Sequence, residues 1–369
     1  LKYLAEAEYR HGSPARLGLL LVNLGSPAAP TAAAVRTYLA EFLSDPRVVE
    51  IPQPWWWLIL HGIILRLRPA KSAEKYASVW TPSGAPLVVH TQRQTQLLTG
   101  LLGERLKREG LPSDLVQTRF AMRYGEPSIA RGIAELRTAG CDRLLVLPLY
   151  PQYAASTTAS VFDAASLALR AHRLVPALRQ AAPFYDDAGY ILALARRINA
   201  HWERHGQPDH LLLSFHGLPR FSLDRGDPYH CHCHKTARLL VRELGLREGQ
   251  WTLAFQSRFG RAEWLQPYTA EVLRGLGKKG VKRLDVFCPG FVSDCLETLE
   301  EIALEGRQSF LDSGGGELQY IPALNDLPEW IKALGEIAWR ELGGWLNAPP
   351  DDAAREASRG RARSLGAKE

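Results

Sequence analysis

Short runs rich in Val, Leu and Phe punctuate the chain at residues 17–23, 116–122, 143–149, 210–215, 252–256, 283–288 and 319–322. Each is the kind of continuous apolar run expected of a strand buried on both faces. Between most of them lie longer amphipathic stretches with helical spacing, such as 126–138 and 236–244. Strand and helix alternating in this way predict an α/β fold built on parallel sheets.

A weak internal repeat sharpens that expectation. Gly140-Cys141-Asp142-Arg143-Leu144-Leu145-Val146-Leu147 resembles Gly280-Val281-Lys282-Arg283-Leu284-Asp285-Val286-Phe287, and residues 18–27 parallel 211–219. Either the chain holds two similarly wound halves, with functional loops at the C-terminal ends of the strands, or any two α/β strands look this much alike. Two stretches break the alternation. Residues 44–90 have no counterpart in the second half, and the tail 347–369 lacks apolar periodicity and is expected to be disordered. Residues 1–16, with scattered charges and no apolar stretch of signal length, read as an arm with no export signal.

Composition narrows the class. The 369 residues are 46% hydrophobic and 23% charged, enough apolar material for one large core or two smaller ones. No run of eighteen apolar residues exists, so no membrane span is expected. Five cysteines at 141, 231, 233, 288 and 295 are odd in number and sparse, which argues for a reducing compartment and against a disulfide framework. The formal charge of +6 is spread among acids with no basic helix, so no nucleic-acid partner is expected. A mild positive bias also suits an anionic membrane surface or a carboxylate-bearing substrate.

Four places offer chemistry. His216 follows an apolar run and precedes Gly217, which puts an imidazole at a strand's C-terminal end, where it either takes a proton, binds a metal or merely caps a turn. Gly217 is expected to let the backbone turn sharply there. Residues 293–305 read as a helix on which Glu297, Glu301 and Glu305 recur every four positions with Glu300 beside them. Asp294 and Glu297 have capping-box spacing, which explains one acid but not a stripe two turns longer. The carboxylates suit a divalent first-row ion, and Mg²⁺ equally. His230-Cys231-His232-Cys233-His234 is metal-like in composition, yet its spacing matches no zinc knuckle; extended, both cysteines would share a face, and in a helix they would diverge. Lastly, residues 52–68 carry Trp55, Trp56, Trp57, Leu58 and Ile59 with flanking arginines. That segment is too short to span a bilayer; it lies on lipid headgroups, lines a pocket for a flat aromatic ligand, or forms a core helix.

These residues resemble a known family. Leu213-Ser214-Phe215-His216-Gly217-Leu218-Pro219 with Gly226-Asp227-Pro228-Tyr229, Gln256-Ser257-Arg258-Phe259-Gly260, Trp264-Leu265-Gln266-Pro267 and Pro289-Gly290-Phe291-Val292-Ser293-Asp294-Cys295-Leu296-Glu297 are similar to ferrochelatase motifs of the proteobacterial type. So are Asn23-Leu24-Gly25-Ser26-Pro27, Arg123-Tyr124 and Tyr150-Pro151-Gln152-Tyr153, and the match runs over about residues 17–335 in the family's order. The resemblance implies two Rossmann-like halves, each a doubly wound parallel sheet, with a porphyrin cleft between them. Their expected extents are 17–171 plus 318–346, including the hydrophobic lip, and 172–317. It implies insertion of Fe²⁺ into protoporphyrin IX to give protohaem, the last step of haem b biosynthesis. His216 and Glu297 fall on the catalytic positions. His216, Glu297, Glu301 and Glu305 fall on the metal site and its path, and Asn23, Leu24, Arg123, Tyr124, Trp264 and Phe291 on the porphyrin cleft.

The chain departs from many members in carrying Cys295 two residues before Glu297, where they have a histidine, which removes any imidazole relay there. Neither the tail nor the 153–156 loop holds a cysteine, so no iron–sulfur cluster of the family's type and no tightly bound cofactor are expected. Fe²⁺ is a substrate. A cytoplasmic monomer or homodimer with peripheral contact at the inner membrane face is the expected setting. A cobalt or nickel chelatase of a related tetrapyrrole pathway, and a haem-binding carrier using His216 as axial ligand, are the alternatives. The lip disfavours the first, as it does a coproporphyrin-specific member, and the acidic stripe disfavours the second.

Overall fold

The computed structural model describes residues 3–6, 10–347 and 351–367. Among them, two separate four-stranded parallel sheets carry the fold. β1 (Arg16–Gly25), β2 (Val116–Tyr124), β3 (Cys141–Pro148) and β4 (Ala177–Gln180) lie in the order β2-β1-β3-β4. β5 (His210–His216), β6 (Trp251–Gln256), β7 (Arg283–Phe287) and β8 (Glu317–Tyr320) lie in the order β6-β5-β7-β8. The two orders are the same winding, and both pairs of repeated segments fall on equivalent strands, β3 with β7 and β1 with β5.

Around the first sheet lie α1 (Ala32–Leu43), α2 (Gln53–Ile59), α3 (Leu65–Val79), α4 (Pro86–Arg108), α5 (Ile129–Thr138) and α6 (Ser160–Arg170). They are followed by α7 (Ala188–His205), α8 (Arg220–Asp224), α9 (Tyr229–Glu243), α10 (Thr269–Lys278), α11 (Leu296–Thr298), α12 (Arg307–Asp312), α13 (Pro328–Leu342) and α14 (Asp352–Ser364). Because strand side chains alternate, Leu17, Leu19 and Leu21 of β1 enter one core and Leu20 and Val22 another. The first of these cores is shared: Leu211, Leu213 and Phe215 of β5 join it, together with Leu98 of α4, Tyr190 of α7, Leu240 of α9 and Trp330 of α13. The halves are therefore welded by one apolar layer, while each sheet keeps a smaller core on its outer face.

Three expectations need correction. The boundary at 171/172 is displaced, because β4 pairs with β3 and completes the first sheet. Its four residues, none fully buried, make too weak an apolar signal at a sheet edge. Residues 317–320 pair with β7 and belong to the second sheet, although α13 does return to pack on α4 and β3 of the first half. The tail is not disordered where it is described: Asp351 caps α14 by accepting from Ala354 N at 2.7 Å, and α14 consists largely of the helix formers Ala, Arg and Glu. It buries no residue, so apolar periodicity was the wrong signal to seek, and it docks on the arm through Arg359 Nε to His11 O at 3.3 Å. Residues 348–350 and 368–369 of that tail, and 1–2 and 7–9 of the arm, lie outside the described residues.

The excursion 44–90 is helical. Trp56 is buried with Leu43, Leu60 and Leu65, and its Nε1 donates to Leu43 O at 2.6 Å. Trp55 and Trp57, either side of it, are 69% and 57% exposed, so the three tryptophans divide between a core and an outer apolar face. Leu58, Ile59, Ile63 and Leu67 extend that exposed face.

Candidate active site

A cavity of about 970 Å³ opens at the C-terminal ends of both sheets, beneath α1 and α3. Its lining includes His216, Glu297, Glu301, Glu305, Asn23, Leu24, Trp264 and Phe291, eight of the positions singled out in the sequence. Aromatic rings of Tyr38, Phe42, Tyr76, Tyr150 and Phe255 complete walls suited to a large flat ligand. Arg123 and Tyr124 are not in that lining. Arg123 Nη2 and Tyr124 OH both reach Asp45 Oδ2, at 2.5 and 2.8 Å, and Ser160 Oγ donates to the same oxygen at 2.6 Å. Burial pushes the Asp45 pKa up, but the bonds from Ser160, Arg47 N and Tyr124 and the Arg123 charge outweigh it and hold it below the ordinary value. This buried network braces the wall from behind. Trp55, Trp56, Trp57, Leu58 and Ile59 also lie outside the lining; of lip residues 52–68 it is Leu67 and Arg68 that reach the cavity.

His216 is the last residue of β5. Its Nδ1 lies 2.6 Å from Gly217 O. A carbonyl only accepts, so Nδ1 carries the proton and Nε2 is the free lone pair of the neutral ring. Behind it, Tyr229 OH donates to His216 O at 2.9 Å and Gly217 N to Gln256 O at 2.8 Å. Gly217 serves a different purpose from the sharp turn expected: a Cβ there would sit 2.6 Å from Gln256 O and 3.1 Å from the Trp264 ring. Close approach of β6 and Trp264 demands the glycine.

The acidic helix is not a regular α-helix. α11 spans only three residues before a π-helical stretch, Leu299–Gly306, leads into α12. Such π turns commonly mark functional sites. The cap is Cys295, whose N–H donates to Thr298 Oγ1 at 3.0 Å, rather than the Asp294–Glu297 box. Asp294 instead accepts from Tyr320 OH at 2.5 Å and Asn325 Nδ2 at 2.7 Å, pinning the preceding loop. Gln256 Nε2 donates to Glu297 O at 2.8 Å, tying the start of the helix to the end of β6.

Glu301 accepts from Ser257 N at 2.6 Å and Ser257 Oγ at 2.5 Å. Burial raises its pKa; the Ser257 bonds, and His216 in its protonated form, pull the other way without cancelling that rise. Farther out, Lys75 Nζ sits 3.0 Å from both Glu300 and Glu305. Cys295 lines the cavity, and burial, with the Glu297 charge, pushes its thiol well above the ordinary value, so it stays protonated. His216, Glu297, Glu301 and Glu305 all line this one cavity. Among the described residues no three His, Cys, Asp or Glu side chains gather into one metal cage.

Ser257, Gln256, Tyr229 and Lys75 were not singled out as site residues. Gln256, Ser257 and Tyr229 stand in stretches quoted above, where polar residues flank a strand or helix end. Ser257 has φ +65°, a left-handed backbone that aims both of its donors at Glu301. Lys75 gave no local signal, because its partners lie 225 and 230 residues away.

Comparison with known proteins identifies the family. The family model described as Ferrochelatase matches residues 16–342. The chain is 58% identical to a ferrochelatase of Azoarcus sp. (strain BH72), over 100% of this chain and 99% of that one. It is 57% identical to a ferrochelatase of Aromatoleum aromaticum, over 99% of each chain. A ferrochelatase of Nitrosomonas europaea is 54% identical over the full length of both. The chain belongs to the ferrochelatase family.

Proposed function

We propose that this chain inserts Fe²⁺ into protoporphyrin IX to give protohaem, with the reaction centred on His216 and Glu297. The observation that carries the reading is the free Nε2 of His216 in the same aromatic-walled cavity as a file of carboxylates. A free porphyrin is planar and holds two inner N–H protons, so metal entry needs ring distortion and two deprotonations. His216 Nε2 accepts a pyrrole proton, since Nδ1 is already committed to Gly217 O. Glu297 holds the incoming ion, and Glu301 and Glu305 form its route from the mouth. Trp264, Phe291, Asn23 and Leu24 grip the ring's periphery, and that binding energy is spent on distortion at its centre. Arg123 and Tyr124 act on the porphyrin only through the wall they support. Iron is cargo, a substrate of the reaction.

Trp55, Trp57, Leu58, Ile59 and Ile63 form an exposed apolar face that we assign to a lipid headgroup layer, from which a hydrophobic porphyrin enters. Among the described residues no helix is long and apolar enough to cross a membrane. A reducing cytoplasm, with that face on the inner membrane surface, suits the free thiols. Anaerobic iron insertion by His216→Ala and Glu297→Gln tests the assignment. Loss of the haem spectrum is expected in both, and a near wild-type rate in either would overturn it.

A further inference from the structure

Helix α9 opens with Tyr229-His230-Cys231-His232-Cys233-His234, and helical spacing sends these side chains to different faces. Cys233 is fully buried in the shared core and Cys231 is exposed, so the two thiols cannot act together. His232 stacks on Tyr185 at 3.6 Å between ring centroids, and its Nδ1 accepts from Tyr153 N at 3.2 Å. That leaves His230 and His234, one turn apart. Their Nε2 atoms are 3.1 Å from each other, and both rings lean on Phe255 at 5.7 and 6.4 Å.

We propose that His230 and His234 form a second divalent-metal site, outside the cavity, for a borderline first-row ion such as Zn²⁺, Ni²⁺ or Co²⁺. Two imidazole nitrogens bound at about 2.0–2.1 Å to one ion lie roughly 2.8–3.4 Å apart, from the octahedral to the tetrahedral angle. The observed 3.1 Å already has that bite. As it stands the contact needs one ring to donate and the other to accept; to ligate one ion through both Nε2 atoms, the donor ring moves its proton from Nε2 to Nδ1, and both imidazoles bind in their neutral form. Burial lowers the pKa of both rings, helped by Arg220 at His230 and by His230 and Arg238 at His234. Neutral imidazole is the ligating form, so both rings are ready to bind at neutral pH. The same two arginines oppose a cation, and among the described residues no third His, Cys, Asp or Glu joins the pair. Water therefore completes the coordination, and the site is weaker than a four-ligand structural zinc site. Imidazole-only ligation disfavours Mg²⁺ and Ca²⁺, and it places Fe²⁺ below Co²⁺, Ni²⁺ and Cu²⁺ in affinity. The site thus selects ions other than the cargo.

Ni²⁺ binding to the full chain, measured by competition with a chromophoric chelator, tests this. In a His216→Ala/Glu297→Gln background, which empties the proposed cavity site, one Ni²⁺ equivalent should remain. Adding His230→Gln or His234→Gln should weaken it at least tenfold, and a Co²⁺ spectrum should lose its imidazole bands. No Ni²⁺ in that background, or equal binding after both His→Gln changes, would overturn the proposal. Should one glutamine variant fail to fold, the other carries the same reading, and Ni²⁺ should raise the Tm of the parent chain but not of that variant. Failure here leaves the assignment of His216 and Glu297 untouched, because those residues are already replaced.

Discussion

Ser257 donates twice to Glu301, through its N–H at 2.6 Å and its Oγ at 2.5 Å. If Glu301 lies on the proposed cation path, this pair sets when the path is charged. Burial raises the Glu301 pKa, and the Ser257 bonds lower it part of the way back. Protonated Glu301 holds no cation, so iron insertion should fall as pH drops through that pKa, at a pH above that of an ordinary glutamate. Ser257→Ala keeps the Cβ and the backbone donor but loses Oγ, so the pKa rises further. The acid limb of the pH dependence of kcat/KM for iron should move to higher pH in this variant. An unmoved limb would show that Glu301 is not on the path.

Lys75 neutralises the outer acids. Its ammonium touches Glu300 and Glu305 at 3.0 Å, with Glu305 largely in solvent. Partly exposed pairs of this kind add at most about 1 kcal/mol to stability. Lys75→Met should therefore leave Tm nearly unchanged, while uncovering two carboxylates to incoming iron. We expect the iron KM to fall a few-fold at low salt, with the difference shrinking as ionic strength rises. A KM that rises, or stays the same at all salt concentrations, counts against the path.

Gly217 tests how closely His216 must be held. An alanine Cβ would lie 2.6 Å from Gln256 O, which is backbone and cannot swing aside. Such overpacking costs about 1–3 kcal/mol. Gly217→Ala should lower Tm and cut kcat for insertion far more than it changes porphyrin KM. Wild-type kcat with a lowered Tm would mean that His216 tolerates displacement.

The three adjacent tryptophans should behave in opposite ways. Trp56→Ala removes a buried ring bonded to Leu43 O and should cost about 3–5 kcal/mol in urea unfolding. Trp55→Ser with Trp57→Ser changes only exposed positions and should shift stability by about 0.5 kcal/mol or less. That double variant should lose co-sedimentation with anionic vesicles. Unchanged co-sedimentation would reduce the face to a porphyrin entrance.

Much of the fold was legible because buried parallel strands need continuous apolar runs, and residues 17–23 and 210–215 each carry one. Local chemistry also marked His216 and Glu297, since an imidazole after a strand and a stripe of acids are one-dimensional patterns. β4 escaped because four edge residues, one exposed and three half-buried, bury too little to shape composition. α14 escaped because a cap and alanine-rich propensity, not an apolar face, hold it.

What only the tertiary structure decided were the pairings across the chain. Lys75 finds Glu300 and Ser257 finds Glu301 because packing, not spacing, brings them within bonding reach. Arg123 turned from a presumed cleft residue into a brace on Asp45, because a buried charge satisfies its nearest partner first. Gly217 looked like the pivot of a sharp turn and proved to be clearance for Gln256 O. The sequence alone determined which side chains could do the chemistry; the fold decided which of them face the same space, since that depends on distances that no local pattern records.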